Sequence, residues 1–199
     1  MEIFDVCDEN GCPTGETVER SLAHREGVLH RTAHVWLIRE KDGRIQILLQ
    51  KRSRNKDSFP GLYDTSSAGH VPAGSAVLPS ALRELEEELG LRAAAEDLEY
   101  AGRFRIQYEK RFHGAPFRDN EVAWVYVCRR PVAIEALRLQ EDEVEEVRWF
   151  DLEEVAAEIQ TSRERFCVPA ASLTLLQRYL KQGCPSEGTD TPLTAGDNL

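Results

Sequence analysis

The chain has 199 residues, of which 41% are hydrophobic and 30% charged, and its formal net charge is −10. This length and apolar content suit one domain with a sizeable core. The acidic balance argues against nucleic acid or an anionic membrane surface as the main partner, and no apolar run approaches the ~20 residues of a membrane span. The N-terminus has no signal-peptide pattern, and the five cysteines lack paired metal spacing, so the sequence predicts a cytoplasmic protein with reduced thiols.

The first fifty residues contain apolar runs separated by turn signals. Residues 2–20 predict a β-hairpin, which could also pair with a second copy in a homodimer. Residues 21–31 are interpreted as a connection that carries His24 and His30. The β-rich runs at 33–39 and 45–50, joined by a tight turn at 41–43, predict the central hairpin of a sheet.

A basic cluster follows in this otherwise acidic chain, and it consists of Lys51, Arg52, Arg54 and Lys56. Two interpretations remain open from these residues alone. The cluster is a solvated loop, or it is a phosphate-binding segment in which Lys51, Arg52 and Arg54 bind the substrate. The second interpretation depends on these cations entering the same loop region as the acidic helix that comes next.

The helix predicted at residues 78–89 is the most informative stretch of the chain. Its leucines recur every three or four positions, as in one apolar stripe of an amphipathic helix. Glu84, Glu87 and Glu88 are spaced i, i+3 and i+4, so their carboxylates project from one patch. The patch is a solvated acidic face or a site for a divalent cation such as Mg²⁺, which takes oxygen ligands and would offset the repulsion among the charges.

The second half of the chain predicts further strands and two helices. Strands at 99–107 and 121–129 are separated by residues 109–120, an interval that is too long for a simple hairpin. The remaining predicted elements are a strand at 144–150, helices at 152–159 and 169–181, and a mobile tail at 181–199. This order predicts an α+β fold, with a mixed sheet between the acidic helix on one face and the C-terminal helices on the other.

Residues 69–91 resemble the Nudix box, whose pattern is Gly, five residues, Glu, seven residues, and then Arg-Glu-apolar-any-Glu-Glu-any-Gly-apolar. Gly69 opens the pattern, and Ser75 stands where the family has its first Glu. The positions that match after Gly69 are Arg83, Glu84, Leu85, Glu87, Glu88, Gly90 and Leu91. The resemblance implies the Nudix α/β/α sandwich with a mixed sheet, as one domain over residues 1–180 whose N-terminal hairpin occupies residues 1–20.

The resemblance to the Nudix family also implies a reaction and a site. The family cleaves a pyrophosphate bond in a nucleoside diphosphate linked to another moiety, or in a related diphosphate. By position, Mg²⁺ or Mn²⁺ is expected at Glu84, Glu87, Glu88 and the carbonyl of Gly69, while Arg83 orients the carboxylates. Glu84 or Glu88 is the expected general base. Some family members place the base in a loop, and the candidates for that position here are Glu141, Asp142 and Glu143.

Outside the box, the chain resembles the branch of type I isopentenyl-diphosphate isomerase. The residues that carry this resemblance are His24, His30, Trp36, Phe59-Pro60-Gly61, Gly69-His70 and Asp119-Asn120-Glu121. It implies a second metal site of His24, His30, His70 and Glu121, with Asp119 where the isomerase has Glu. Imidazole ligands suit Zn²⁺ or Mn²⁺ better than Mg²⁺. The alternative interpretation is a set of unrelated histidines.

The isomerase has a Cys directly before its Gly-His pair, and this chain has Ala68 there. Alanine carries no proton to transfer to or from carbon, whereas the acidic box that a hydrolase needs is nearly complete. A hydrolase is therefore the favoured function. The alternatives are an isomerase of allylic diphosphates and a non-catalytic diphosphate-binding module that keeps the fold.

Overall fold

A mixed β-sheet forms the centre of the computed structural model, which describes residues 1–185 and 193–194. The strands are β1 (Ile3–Cys7), β2 (Pro13–Glu19), β3 (His30–Lys41), β4 (Arg44–Arg52), β5 (Tyr63–Asp64), β6 (Ser67–His70), β7 (Glu99–Phe112), β8 (Ala115–Cys128), β9 (Val144–Asp151) and β10 (Leu193–Thr194). Strands β1 and β2 form a separate hairpin, and the main sheet has the order β10-β7-β8-β3-β4-β5, with β6 paired to β3 and β9 paired to β4. The pairs β3–β8 and β10–β7 are parallel, and the other pairs are antiparallel. The predicted mixed sheet and N-terminal hairpin are therefore confirmed.

A helix that the sequence did not predict follows the N-terminal hairpin directly. This helix, α1 (Arg20–Glu26), ends at Gly27, which has a left-handed φ of 70°. The interpretation of residues 21–31 as a connection therefore missed this helix. The helix is about two turns long, which is too short to show the repeated apolar spacing of a longer amphipathic helix.

Strands β7 and β8 form one continuous antiparallel ribbon. The prediction that residues 109–120 are too long an interval for a simple hairpin is wrong. His113 and Gly114 turn the chain with φ angles of 50° and 80°, which suit a two-residue hairpin loop. The outer half of β7 alternates between exposed and partly buried residues, and none of them is fully buried. The alternation of apolar and polar residues that predicts a strand is therefore weak there.

Helices cover both faces of the main sheet. They are α2 (Val77–Leu89) on one face and α3 (Leu152–Thr161) and α4 (Ala170–Gln182) on the other. Alternate residues of β3 serve the two cores, since Leu37 belongs to the α2 core and Trp36 to the core under α3 and α4. This arrangement confirms the predicted sandwich.

The N-terminal hairpin packs against its own chain, beside the loop that connects β6 to α2. Phe4 is fully buried there. The backbone N–H of Ala73 donates to the carbonyl of Ile3 at 2.8 Å, and that of Cys7 donates to the carbonyl of Leu29 at 3.1 Å. A homodimer formed through this hairpin stays a prediction.

The mobile tail predicted at residues 181–199 falls mostly outside the described residues. Within them, α4 continues to Gln182, and Leu193–Thr194 pairs in parallel with β7 at Phe104 and Arg105. Among the helices of the described part of the chain, none is long and apolar enough to cross a membrane.

Candidate active site

The glycine that opens the box lies directly against a carboxylate of α2. A Cβ atom at Gly69 would lie 2.1 Å from Cδ of Glu84, so only glycine lets this carboxylate approach the backbone of β6. Arg83 holds the same carboxylate, because its Nη2 donates to Oε1 of Glu84 at 2.5 Å and to the carbonyl of His70 at 3.2 Å. Arg83 and Glu84 of α2 therefore both contact the end of β6, at His70 and Gly69 respectively.

Glu88 lies one turn further along α2 and is buried. Its Oε2 accepts hydrogen bonds from Nε2 of Gln50 and the backbone N–H of Ala68, both at 3.3 Å. Burial raises the pKa of Glu88 to about 7. Burial, followed by repulsion from Glu88, also raises the pKa of Glu84 to about 7. Two buried carboxylates of this kind are costly to ionise together unless a cation lies beside them.

The donor atoms at this position suit a hard divalent cation. Glu87 is half-exposed at the edge of the same patch, with Oε2 3.8 Å from Nη1 of Arg83. The carboxylates and the backbone of Gly69 offer oxygens, which is the ligand chemistry of Mg²⁺ and Mn²⁺. A cation would offset the repulsion between Glu84 and Glu88. The residues therefore fit the metal that the sequence predicts, and their assignment as ligands stays a prediction.

The raised pKa of Glu88 predicts how the stability of the metal-free protein depends on pH. The folded chain holds a proton at Glu88 up to a pKa of about 7, whereas the ordinary value is 4.5. The folded state then binds more protons than the unfolded state between these two values, so stability falls as pH rises through this window. Glu88→Gln cannot ionise at this position, so we expect its free energy of unfolding to fall less between these pH values than that of the wild type. The difference should be on the order of 3 kcal/mol at most.

Urea unfolding in a chelator at pH 5 and pH 8 measures this difference. Glu86→Gln is the matched control, because Glu86 is an exposed residue of the same helix that pairs with Arg92 at 2.6 Å. An identical loss of stability with pH in wild type and Glu88→Gln contradicts the prediction.

The main sheet brings the predicted histidines together from separate segments. In the parallel pairing of β3 with β8, His30 lies opposite Glu121, and in the pairing of β3 with β6, Thr32 lies opposite His70. His24 comes from α1. The structure therefore places all four predicted ligands of the second metal site in one cluster.

The cluster is compact enough to hold a metal ion, and its assignment as a metal site stays a prediction. The side-chain nitrogens of His24, His30 and His70 lie within 4.8 Å of one another. Nε2 of His30 and Nε2 of His70 each lie 3.6 Å from Oε1 of Glu121. Nδ1 of His30 is 2.8 Å from the carbonyl of Val28, a contact that orients the ring and leaves Nε2 directed at the cluster.

Several buried polar atoms of the cluster have no hydrogen-bond partner. They are both ring nitrogens of His24, Nε2 of His30, Nε2 of His70 and Oδ1 of Asp119. Burial lowers the pKa of His24 to about 4 and the pKa of His70 well below its usual value. Neutral imidazole is the form that binds metals, and unpaired buried nitrogens are costly without a ligand. The residues therefore fit a transition metal better than the alternative of unrelated histidines.

Aromatic rings hold the histidine cluster in place. Phe4 stacks on His30 and on His70, with ring centroids 4.8 Å and 4.5 Å apart. Phe117 stacks on His24 with a centroid distance of 4.4 Å. The N-terminal hairpin therefore contributes packing to the site through Phe4.

Of the three predicted substrate-binding residues, Arg52 lines the cavity that contains the box carboxylates. Its Nε donates to the carbonyl of Ser58 at 2.9 Å. Lys51 and Arg54 do not line this cavity, and both face Glu145 instead, at 2.7 Å and 3.9 Å. Alternation along the end of β4 explains why Lys51 differs from Arg52, because the two side chains project to opposite faces, whereas Arg54 lies in the turn after β4.

Besides Arg52 and Arg83, the cations Lys56 and Arg20 line the cavity. Lys56 pairs with Glu143, the candidate loop base that also lines the cavity. Glu141 and Asp142 are exposed and lie outside it. Arg20 belongs to α1, so its position in the site depends on the helix that the sequence did not predict.

The chain is similar to known proteins in sequence and in fold. The NUDIX domain model matches residues 28–168. Nudix hydrolase 3 of Arabidopsis thaliana is 42% identical over 155 residues, which are 77% of this chain and 20% of that protein. An isopentenyl-diphosphate Delta-isomerase of Jannaschia sp. is 30% identical over 153 residues, which are 77% of this chain and 81% of that protein. The crystal structure of DR0079 from Deinococcus radiodurans has a TM-score of 0.64 at 18% identity and covers 89% of this chain and 99% of its own.

The chain therefore belongs to the Nudix family. It spans about one fifth of the length of the Arabidopsis relative. The matched segment begins after the N-terminal hairpin and α1, which supply Phe4, Arg20 and His24 to the site. The single domain predicted over residues 1–180 stays a prediction.

Proposed function

We propose that this chain is a metal-dependent hydrolase that cleaves a pyrophosphate bond in a nucleoside diphosphate linked to another moiety, or in a related diphosphate. The observation that carries the proposal is a pair of carboxylates on α2. Glu84 is partly buried against the backbone of Gly69, and Glu88 is buried and accepts a hydrogen bond from the N–H of Ala68. Both have a pKa of about 7, so they need a cation to be charged together near neutral pH.

The cation belongs beside the box residues. Glu84, Glu87, Glu88 and the carbonyl of Gly69 would hold Mg²⁺, with Mn²⁺ as the alternative ion. When bound, such an ion lowers the pKa of a coordinated water and neutralises phosphate charge. Arg83 keeps the carboxylate of Glu84 in place through the contact at 2.5 Å.

Glu84 or Glu88 takes the proton from the attacking water in this proposal. A general base must lie within hydrogen-bond reach of the water that it deprotonates, and both glutamates belong to the carboxylate patch where the metal and its water are proposed. Glu143 is the alternative, because it lines the same cavity as the box glutamates. Its carboxylate is paired with Lys56, so it would first have to leave that cation.

Arg52 and Lys56 are proposed to bind the phosphates, with Arg20 as a further cation at the cavity wall. A guanidinium can bind two phosphate oxygens at once. Nη1 of Arg52 pairs with Asp64 at 3.2 Å and its Nη2 donates to Ser58 at 3.1 Å, so phosphate binding would replace these contacts. Lys51 and Arg54 would contribute from outside the cavity only through long-range attraction, which salt weakens.

An isomerase of allylic diphosphates is a second candidate, favoured by the assembled histidine cluster and the 30% identity to the Jannaschia isomerase. Ala68 opposes it, because this residue stands beside Gly69 and His70 with no group that exchanges a proton. A non-catalytic binding module is opposed by the complete set of box glutamates.

The test is a panel of nucleotide and non-nucleotide diphosphates incubated with Mg²⁺ or Mn²⁺, with release of phosphate and nucleotide measured. Isopentenyl diphosphate belongs in the same panel. We expect metal-dependent hydrolysis of at least one nucleoside diphosphate derivative, and no dimethylallyl diphosphate above background. Steady conversion to dimethylallyl diphosphate without hydrolysis of any panel member would overturn the proposed function.

A second metal ion, Zn²⁺ or Mn²⁺, is part of the proposal at His24, His30, His70 and Glu121. Asp119 supports the cluster, with Oδ1 3.6 Å from Nδ1 of His24. The site lies beside the box, because His70 follows Gly69 directly. An ion there would bring positive charge to the part of the cavity where a terminal phosphate is expected.

A further inference from the structure

The ribbon of β7 and β8 carries four residue pairs that project towards the cavity side in order. Ile106 lies opposite Glu121, Tyr108 opposite Asp119, Lys110 opposite Phe117, and Phe112 opposite Ala115. These pairs are two residues apart along each strand, so they share one face of the ribbon. The face therefore changes from an acidic inner end to an aromatic outer end.

Phe59 joins the aromatic end from the loop between β4 and β5. Its ring lies 4.9 Å from that of Phe112 and 5.6 Å from that of Tyr108, both at an interplanar angle of 65°. Phe117 contacts Phe112 at 5.6 Å. We call these four residues, Phe59, Tyr108, Phe112 and Phe117, the aromatic mouth.

The aromatic mouth differs from an ordinary part of the core. Its four rings are all partly exposed, whereas Phe4, Phe104 and Phe166 are at most 1% exposed. Phe59, Tyr108 and Phe117 line the cavity that contains the box carboxylates. Many other residues of the cavity lining are charged, and they include Glu2, Arg20, Lys56, Arg83, Glu87 and Glu143. This aromatic surface is therefore available to contact a large apolar group of a bound diphosphate.

Phe59 is held in an unusual backbone conformation. Its φ of 48° is left-handed, which a bulky residue adopts only when its surroundings impose it. The Arg52 side chain donates to the carbonyl of Ser58 at 2.9 Å, and the N–H of Leu62 donates to the carbonyl of Phe59 at 3.3 Å. Arg52, which holds the backbone next to Phe59, thus also lines the cavity where phosphates are proposed to bind.

Lys110 identifies the kind of group that fits. Its Nζ lies 4.8 Å from the ring centroid of Phe59 and 5.9 Å from that of Tyr108. An ammonium group is a hydrogen-bond donor with no acceptor, so it suits ring nitrogens and carbonyl oxygens. A flat heteroaromatic ring offers these acceptors together with a face for stacking, whereas an alkyl chain offers neither.

We propose that the aromatic mouth and Lys110 form a subsite for the nucleobase of the substrate. The proposal rests on the proposed function for the position of the diphosphate in the cavity. The base would stack on the aromatic rings while Lys110 donates to one of its acceptors.

Binding of non-cleavable analogues tests the subsite without requiring hydrolysis. The probes are α,β-methylene-ADP and methylenediphosphonate, each titrated calorimetrically with Mg²⁺, and a geranyl bisphosphonate as the alkyl comparison. Wild type should prefer the adenine-bearing analogue to methylenediphosphonate by about tenfold or more, as base stacking on aromatic side chains supplies. Phe59→Leu, which keeps a bulky apolar side chain at the same φ, should reduce this preference by about tenfold. Lys110→Met should reduce it several-fold.

Phe150→Leu is the matched control. Phe150 is also partly buried, contacts Tyr63 at 4.9 Å and has the guanidinium of Arg148 5.6 Å from its ring, but it lies outside the cavity lining. Its substitution should leave the preference unchanged. Circular dichroism identifies any variant that fails to fold, in which case Phe112→Leu replaces Phe59→Leu.

Equal affinity of wild type for the two analogues, or an unchanged preference in both Phe59→Leu and Lys110→Met, overturns the subsite. Tighter binding of the geranyl bisphosphonate than of α,β-methylene-ADP also overturns it. Because the analogues are not cleaved, a base preference in a protein that hydrolyses nothing would support the subsite and reject the proposed reaction.

Discussion

Glu88→Gln should lower turnover of the best panel substrate on the order of a hundredfold or more, because a charged metal ligand and a candidate base are lost together. The substitution is nearly isosteric. An amide oxygen can still accept the hydrogen bonds that Gln50 and Ala68 now give to Oε2 of Glu88. The loss of activity would therefore report the missing charge rather than a collapsed site. Steady-state rates at saturating Mg²⁺ measure it.

Two companion variants make this result specific. Glu87→Gln should also lose turnover, but its half-exposed position allows water to replace the ligand more easily than at Glu88. Glu86→Gln should keep the wild-type rate, since this glutamate is exposed and pairs with Arg92 instead. Wild-type rates in both Glu87→Gln and Glu88→Gln would show that the box is not the catalytic site.

The sequence predicted the part of the site that lies on one helix. The carboxylates of Glu84, Glu87 and Glu88 depend on helical spacing alone, and an amphipathic helix of thirteen residues shows that spacing clearly. The closeness of Gly69 to Glu84 is a tertiary contact, which helical spacing does not predict. Only the resemblance to the family placed Gly69 beside the glutamates.

The sequence did not predict the site residues whose positions depend on a short helix or on pairing between distant parts of the chain. Arg20 enters the cavity on a helix of seven residues, too short for a periodic signal. Tyr108 and Phe117 approach Phe59 only because β7 and β8 continue as a ribbon to the turn at His113. The His-Gly pair at that turn was the available signal, since a residue that tolerates left-handed φ precedes a glycine.

The loop that contains Ser75 contacts the N-terminal hairpin through backbone atoms. Oδ2 of Asp5 accepts hydrogen bonds from Nη2 of Arg31 at 2.7 Å and from the backbone N–H of Gly74 at 2.9 Å. Arg31 also donates to the carbonyl of Ser75 at 3.2 Å. The loop before α2 is thus held through its backbone by a carboxylate from β1. This contact links the hairpin to the position of the box.

The second metal site gives the other large expected effect. Protein purified without chelator should carry up to one Zn²⁺ or Mn²⁺ per chain, and His30→Ala should retain less than about a tenth of it, since loss of a ligand or its supporting contacts weakens metal binding strongly. The reason is geometric. His30 is fully buried, and its Nε2 lies among the unpaired nitrogens of His24 and His70. Elemental analysis by mass spectrometry measures the metal content.

A histidine outside the cluster supplies the control for this loss. His113→Asn keeps a residue that tolerates the left-handed turn and should leave the metal content unchanged. Retention should extend to acidic pH, because burial lowers the pKa of His24 to about 4 and that of His70 well below 6.5, so protons compete weakly for these nitrogens. Metal released already at pH 6.5, or a folded His30→Ala that keeps the full wild-type content, would show that these histidines do not hold the ion.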